Sequence, residues 1–294
     1  LSMDTQILSG KVVSESVYKG LKSRIVKLKT NSITPCLAVV LIGDDAPSHV
    51  YVKNKTKKFA SLNLNSETIK LTNETSENAL LDIINNLNND NKYHGILVQL
   101  PLPNHINNET IINAIDPKKD VDGFNPVNLG RLAAGRPSFI PCTPKGIMRV
   151  FEYYKIDLSN KHVVVVGRSN IVGRPISILT SLKRKYSNAT TTICHSGTKN
   201  ISYFTKQADI VILALGSPEY LKGDDIKEGA TVIDVGINRV NSLSDIGYNL
   251  LGDCEFSSIN GKASSITPVP GGIGPMTIAM LVENTVEAAE NKIK

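Results

Sequence analysis

Three continuous apolar runs constrain this chain more than any other feature: CLAVVLIG at 36–43, GILVQLP at 95–101 and HVVVVG at 162–167. A run of strand length with no polar alternation has no wet face, so both its sides have to be covered, as in a parallel sheet. The segments before and between the first two runs supply the cover. Apolar residues recur at helical spacing over 11–28, while 48–61 reads as a helix, 67–71 as a strand and 76–87 as a helix opened by the capping serine Ser76. Pro101 stops the strand at 95–101. The order β-α-β-α-β implies a parallel sheet with helices on both faces, so the fold class is α/β.

Over 116–145 the pattern dissolves into a stretch dense in Pro, Gly and Asp, and it resumes with a helix over 146–154. Such a shift marks a domain junction. At about 150 residues per domain, 294 residues suggest two: 3–145, completed by a carboxyl-terminal helix over 275–294, and 146–274. The second reads as another doubly wound unit, with strands at 162–167, 190–194, 209–215 and 230–235 and a helix over 172–185. TPVPGGIGPMT at 267–277 is too rich in Gly and Pro for a regular element, and the last helix is expected to pack back on the first domain. Leu1 and Ser2, ahead of Met3, look like an expression remnant and carry no weight.

Composition narrows the function classes. The net charge of +6 favours anionic ligands such as phosphates and carboxylates without requiring a polyanion. With 5% aromatic residues and no tryptophan, a base-stacking surface for nucleic acid is poor. No segment approaches the roughly 18 apolar residues of a membrane helix, and no apolar signal core opens the chain, so a cytoplasmic protein is expected. Cys36, Cys142, Cys194 and Cys254 are scattered without a C-x-x-C pair, which suggests neither a metal site nor a disulfide framework. An asparagine-rich patch at 85–91 fits a solvent-facing helix end.

Two motifs carry chemistry. Tyr51-Val-Lys-Asn-Lys55 sets a phenol and an amine four residues apart, on one face of a helix. A lysine among other cations, in a site that closes over substrate, can exchange protons near neutrality, which makes Lys55 a candidate general acid/base. With Lys53, Lys57 and Lys58 close by, the run also fits a solvated basic face. The second motif, Gly167-Arg-Ser-Asn-Ile-Val-Gly173-Arg-Pro175, follows a buried strand and opens a helix, the context of a phosphate-binding loop or of a plain tight turn. The next strand ends at Cys194-His195-Ser196-Gly197-Thr198, with no carboxylate for a ribose hydroxyl. Ser196 and Thr198, with Arg168 and Arg174 nearby, suit a 2′-phosphate and hence NADP; His195 either assists or fills the strand end.

YVKNK, GILVQLPLP, DVDGF, PCTP, GRSNIVGRP and PGGIGPMTIA occur in this order over residues from about 10 to 291, and together they closely resemble the bifunctional methylenetetrahydrofolate dehydrogenase/cyclohydrolase family. Ile273 stands where the family more often has valine. The resemblance implies two α/β domains around a cleft, folate on the first and NADP on a Rossmann-like second, and a homodimer. It gives Lys55 as the catalytic lysine, Tyr51 as the ring packed on folate, Gln99 as the lysine's partner and Asp122 as the carboxylate that holds the pterin. Further substrate contacts are implied at Val98, Leu100, Pro101, Pro270, Gly271, Gly272, Ile273 and Thr277. Cofactor contacts are implied at Gly167, Arg168, Ser169, Ile171, Val172, Ser196, Thr198 and Ile237, with no metal, nucleic acid or membrane.

The residues agree with these roles without proving them. Gln99 lies at a strand's carboxyl end, where open α/β sheets build sites, yet such a glutamine also simply caps loops. Asp122-Gly123 offers a bidentate acceptor to an aminopyrimidinone edge, or ordinary turn chemistry. Basic surface such as Lys53 or Arg24 would draw the glutamate tail of folate, polyglutamylated or not. A short-chain dehydrogenase also uses Y-x-x-x-K, but with its glycine loop first. A shikimate-dehydrogenase-like NADP oxidoreductase shares the domain order and is the alternative enzyme, although it leaves Q-L-P-L and PGGIGPMT unexplained. A catalytically silent binding protein would need no Lys55.

Overall fold

The computed structural model describes residues 3–293; Leu1 and Ser2, read above as a remnant, lie outside them. The chain begins with β1 (Gln6–Ile7), α1 (Gly10–Thr30), β2 (Cys36–Ile42), α2 (Ala46–Ser61), β3 (Asn65–Leu71), α3 (Glu77–Asn89) and β4 (Gly95–Val98). It continues through α4 (Asn108–Ala114), α5 (Pro126–Ala133), α6 (Cys142–Tyr153), β5 (His162–Val166), α7 (Gly173–Ser181), β6 (Thr190–Cys194) and α8 (Ile201–Thr205). The remainder is β7 (Ile210–Leu213), β8 (Thr231–Asp234), β9 (Asn238–Asn241), β10 (Tyr248–Leu251), α9 (Phe256–Ile259), β11 (Ser265–Ile266) and α10 (Ile273–Glu290). None of the described helices is long and apolar enough to cross a membrane.

Two compact units result. One comprises Val17–Pro141 with 278–293 and holds a parallel sheet of order β3-β2-β4. All seven residues of β2 are buried, as its unbroken apolar run requires. One core cluster joins Ala38, Val40 and Ile42 of β2 to Leu80, Ile84 and Leu87 of α3, Ile96 and Val98 of β4, and Ile111 of α4. Ser76 caps α3, accepting from Ala79 N at 3.1 Å. His94 is buried, its Nδ1 accepting from Cys36 N at 3.0 Å, and burial pushes its imidazole down to about 4. A neutral ring therefore pins the start of β2.

The other unit comprises 3–16 with Cys142–Thr277 and holds a six-stranded sheet of order β1-β11-β8-β7-β5-β6, parallel throughout. Strand order reverses at β5, flanked by β6 and β7, which is the switch point of a doubly wound sheet. β9 and β10 form a separate antiparallel pair.

Several expectations change. The amino-terminal segment, placed by the sequence in the first domain, contributes β1 to the six-stranded sheet, beside β11. Thr5 locks it there, donating to Ala263 O at 2.7 Å and accepting from Gly261 N at 2.8 Å. The strand expected over 95–101 ends at Val98, although Gln99 N still donates to Val40 O at 2.9 Å. The irregular stretch contains α5, opened by Asn125 as cap and Pro126 in the first turn. The glycine-rich block 267–277 contains the first turn of α10, since Pro275 is tolerated there. Cys36, Cys142, Cys194 and Cys254 are all buried.

Candidate functional site

In the unit containing Val17–Pro141, Asp45 caps α2, its carboxylate accepting from Ser48 N at 3.0 Å and Ser48 Oγ at 2.6 Å. This fixes where α2 starts and so which face carries Tyr51 and Lys55. Lys53 and Lys57 are exposed, while Lys55 is half-buried and its Nζ donates to Gln99 Oε1 at 3.0 Å. The Gln99 Nε2 donates to Leu100 O at 3.0 Å, which orients the amide so that its oxygen faces the ammonium. Lys55 is thus distinguished from its neighbours by a specific partner at the carboxyl end of β4. Tyr51 is 49% exposed.

Asp122 lies in the turn after β4 and α4, and the geometry of that turn comes from a carboxylate the sequence reading passed over. Asp120 is buried, accepting from Gly123 N at 3.2 Å, Asn125 N at 2.9 Å and Asn128 Nδ2 at 2.8 Å. Gly123 is required beside it: its φ is +82°, and a Cβ there would lie 2.5 Å from Pro141 N. Asp120 and Asp122 are the polar members of a hollow otherwise lined by Ile96, Val98, Leu100, Ile112, Ile115 and Phe124. Burial pushes the Asp122 carboxyl up to about 6, opposed by the Lys55 ammonium and helped by the Asp120 charge. Val98 is buried, Leu100 half-buried and Pro101 exposed, the Leu100–Pro101 peptide being cis. Arg24, considered for a glutamate tail, is committed to Glu290, with Nε and Nη2 each at 2.8 Å from its carboxylate. Lys53 stays exposed.

The elevated Asp122 carboxyl gives a signed prediction. A folded-state value above the unfolded one favours the protonated form, so stability from this group is present below about pH 4 and lost as pH rises through about 6. Asp122→Asn is therefore expected to stabilise the protein at pH 7.5 by about 1–3 kcal/mol, the lower end applying to the extent that water reaches the carboxylate. At pH 4 the difference should shrink to about a fifth of that. Thermal denaturation at both pH values checks this, and equal destabilisation at both would contradict it.

The second group of residues lies in the six-stranded unit. Gly167 follows β5 with φ +127°, and a Cβ there would lie 2.4 Å from Ala214 O. Gly173 opens α7, and its Cβ would lie 2.2 Å from Gly167 O. Two glycines thus let the backbone of Gly167–Gly173 fold tightly against the sheet. Val172 gives α7 no side-chain cap; in the first turn Arg174 N donates to Ser169 O at 3.0 Å and Ile176 N to Val172 O at 2.9 Å, and Pro175 has no N–H. Ser169 accepts from Val172 N at 3.1 Å, and Ile171 is 42% exposed. At the end of β6, Arg168 Nη1 stands 3.4 Å from His195 Nε2, and Thr198 Oγ1 accepts from His195 N at 3.0 Å. Ser196 is exposed beside them, and Ile237 is 50% exposed after β8. The glycine cradle and these cationic and hydroxyl groups fit a phosphate-bearing dinucleotide.

Pro270, Gly271, Gly272, Ile273 and Thr277 belong to this unit too. Gly271 O accepts from Gly10 N at 3.0 Å, Gly272 and Ile273 are buried, and Thr277 Oγ1 meets Thr143 Oγ1 at 2.9 Å. These glycines have a packing role: a Cβ on Gly272 would lie 2.3 Å from Pro268 O.

Comparison with known proteins adds to this geometry. Residues 8–122 match the model of the tetrahydrofolate dehydrogenase/cyclohydrolase catalytic domain, and residues 141–293 match that of the tetrahydrofolate dehydrogenase/cyclohydrolase NAD(P)-binding domain. The bifunctional protein FolD of Acetivibrio thermocellus is 49% identical over 292 residues, covering 99% of each chain. The crystal structure of the bifunctional FolD enzyme of Campylobacter jejuni superposes with a TM-score of 0.93 at 46% identity, covering 98% of this chain and 99% of that one. The Trypanosoma brucei dehydrogenase-cyclohydrolase, solved with NADP cofactor and inhibitor, gives 0.93 at 33% identity over 99% of both chains.

Proposed function

This chain belongs to the tetrahydrofolate dehydrogenase/cyclohydrolase family and is a bifunctional enzyme of one-carbon folate chemistry; we propose that NADP⁺ takes the hydride and that Lys55 conducts the protons of the hydrolysis. The first reaction oxidises 5,10-methylenetetrahydrofolate to the 5,10-methenyl cation, and the second hydrolyses that cation to 10-formyltetrahydrofolate. Membership over nearly the whole chain removes the shikimate-dehydrogenase-like alternative.

The observation that carries the residue assignment is the Lys55 to Gln99 hydrogen bond of 3.0 Å. It fixes one amine, out of a run of lysines, at a strand end beside an apolar hollow. In the second reaction water adds to the bridging carbon of the cation, and Lys55, as amine, accepts the proton released. As the bond from that carbon to N5 breaks, the carbinol proton passes through the same side chain to N5. One proton is released overall. Gln99 holds the amine in place, Tyr51 supports the ring system, and Asp122 pairs with the aminopyrimidinone edge. Val98, Leu100 and Pro101 complete the folate contacts.

When bound, the nicotinamide supplies the hydride acceptor, and the protein's share of that step is orientation. Gly167, Arg168, Ser169, Ile171, Val172 and Gly173 hold the pyrophosphate, Ser196 and Thr198 with Arg168 hold the 2′-phosphate, and Ile237 meets the nicotinamide half. The enzyme works in the cytoplasm as a homodimer, and exposed basic side chains such as Lys53 attract polyglutamylated folate. Absorbance assays with 5,10-methylenetetrahydrofolate test the reading: NADP⁺ should be reduced, with kcat/KM at least ~10-fold above that with NAD⁺, the minimum for one charge-assisted contact to the 2′-phosphate. Equal use of NAD⁺ would contradict the 2′-phosphate assignment.

A further inference from the structure

Asp253 lies just beyond β10 and outside every motif discussed so far, and it is fully buried. Its carboxylate gathers four donors. Oδ2 accepts from Leu215 N at 2.7 Å and Gly216 N at 3.1 Å, and Oδ1 accepts from Ser217 N at 3.0 Å and Asn238 Nδ2 at 2.9 Å. Three consecutive backbone N–H groups converging on one point make an anion-holding concavity, which Gly216 permits at φ +71°. Here the anion is part of the protein. Asp253 is itself held by Asp234, whose Oδ1 accepts from Asp253 N and Gly236 N, each at 2.9 Å. Gly236 leaves the necessary room, since a Cβ there would lie 2.2 Å from Asp253 Oδ1.

The carboxylate ties the loop after β7 to Asn238, the first residue of β9, and so to the end of the loop after β8. Both loops leave the carboxyl edge of the sheet, and Ala214, one residue before the first of them, is the residue against which Gly167 packs. In the order β8-β7-β5-β6, a dinucleotide with its pyrophosphate over β5 and its 2′-phosphate over β6 extends its nicotinamide half toward β7 and β8. We infer that Asp253 is a positioning residue of the nucleotide site, shaping the loops after β7 and β8 that receive the nicotinamide half. The inference rests on the NADP⁺ reading above.

Asn cannot satisfy all four donors, because its amide nitrogen faces N–H groups on one side whichever way it is turned. Calorimetric titration of the intact protein with NADP⁺, and separately with adenosine 2′,5′-bisphosphate, provides the test. Asp253→Asn is expected to weaken NADP⁺ at least ~10-fold, the effect of one lost charge-assisted hydrogen bond, and to leave the bisphosphate within ~2-fold. A merely structural role would weaken both ligands alike, and that result, or no change in either, overturns the inference. Should Asp253→Asn fail to fold, Asn238→Ala decides: it removes one donor and keeps the carboxylate, so NADP⁺ should weaken ~3-fold with the bisphosphate unchanged. Equal affinity for NADP⁺ there overturns the inference. Wild-type protein that binds neither ligand would remove the NADP⁺ reading itself, and with it this inference, a pattern distinct from the others.

Discussion

Lys55→Met is expected to lower cyclohydrolase kcat/KM by about 10³-fold, within the range that positioned proton transfer contributes, while the dehydrogenase falls by no more than ~10-fold. The asymmetry follows from chemistry. Hydrolysis moves protons twice, from the attacking water and then to N5, whereas oxidation moves a hydride and needs alignment alone. Methionine keeps the length and apolar stem of lysine, so the half-buried site stays filled and only the amine and its 3.0 Å hydrogen bond to Gln99 are lost. Asp122 also loses the cation that opposes its upward shift, so its carboxyl should be protonated at higher pH than in the wild type. Rates with preformed methenyltetrahydrofolate and with methylenetetrahydrofolate plus NADP⁺, alongside thermal melts, separate the effects. Equal losses in a variant that melts and binds folate normally would contradict the division of labour.

Gly173→Ala should do the converse. The added methyl would lie 2.2 Å from Gly167 O and 2.7 Å from Arg168 N, both backbone atoms that cannot swing aside as a side chain could. The Gly167 turn has to move, and with it the start of α7. A displacement of order 1 Å costs a positioned reaction about 10²-fold, so dehydrogenase kcat/KM for NADP⁺ should fall by roughly that factor. Cyclohydrolase, measured with preformed substrate and no nucleotide, should retain most of its rate, because none of its proton transfers involves this loop. Unchanged NADP⁺ affinity in the variant would mean that the glycine turn is packing alone.

What was legible in the sequence, and what was not, has a physical pattern. β2 and β5 were readable because strands buried on both faces leave an unbroken apolar run. Ser76 was readable because a helix cap is a local interaction three residues long. β1 escaped notice: two residues hold no periodicity, and what fixes them is pairing with β11 some 260 positions away. The β9–β10 pair carries no Asn-Gly or Asp-Gly turn to announce it. α5 did have a signal, Asn125 followed by Pro126, obscured by the surrounding Gly, Pro and Asp.

The candidate site divides along the same line. Lys55, Gln99 and the Gly167–Gly173 turn sit in recognisable spacings, but Asp120 and Asp253 do not. A carboxylate whose partners are mostly backbone N–H groups leaves little complementary signal in the sequence, so only the folded chain shows what it holds. The relevant signal in each case was a neighbouring glycine, Gly123 and Gly236, whose missing Cβ makes room for the turn.

The central claim is that the amine of Lys55 serves the hydrolysis and not the hydride transfer. Product analysis of Lys55→Met supplied with methylenetetrahydrofolate and NADP⁺ tests it most directly. The account predicts that NADPH forms and that 5,10-methenyltetrahydrofolate accumulates in nearly equal amount, beyond its spontaneous hydrolysis, with little 10-formyltetrahydrofolate. If 10-formyltetrahydrofolate keeps pace with NADPH as it does in the wild type, Lys55 is not the proton carrier and the account is wrong.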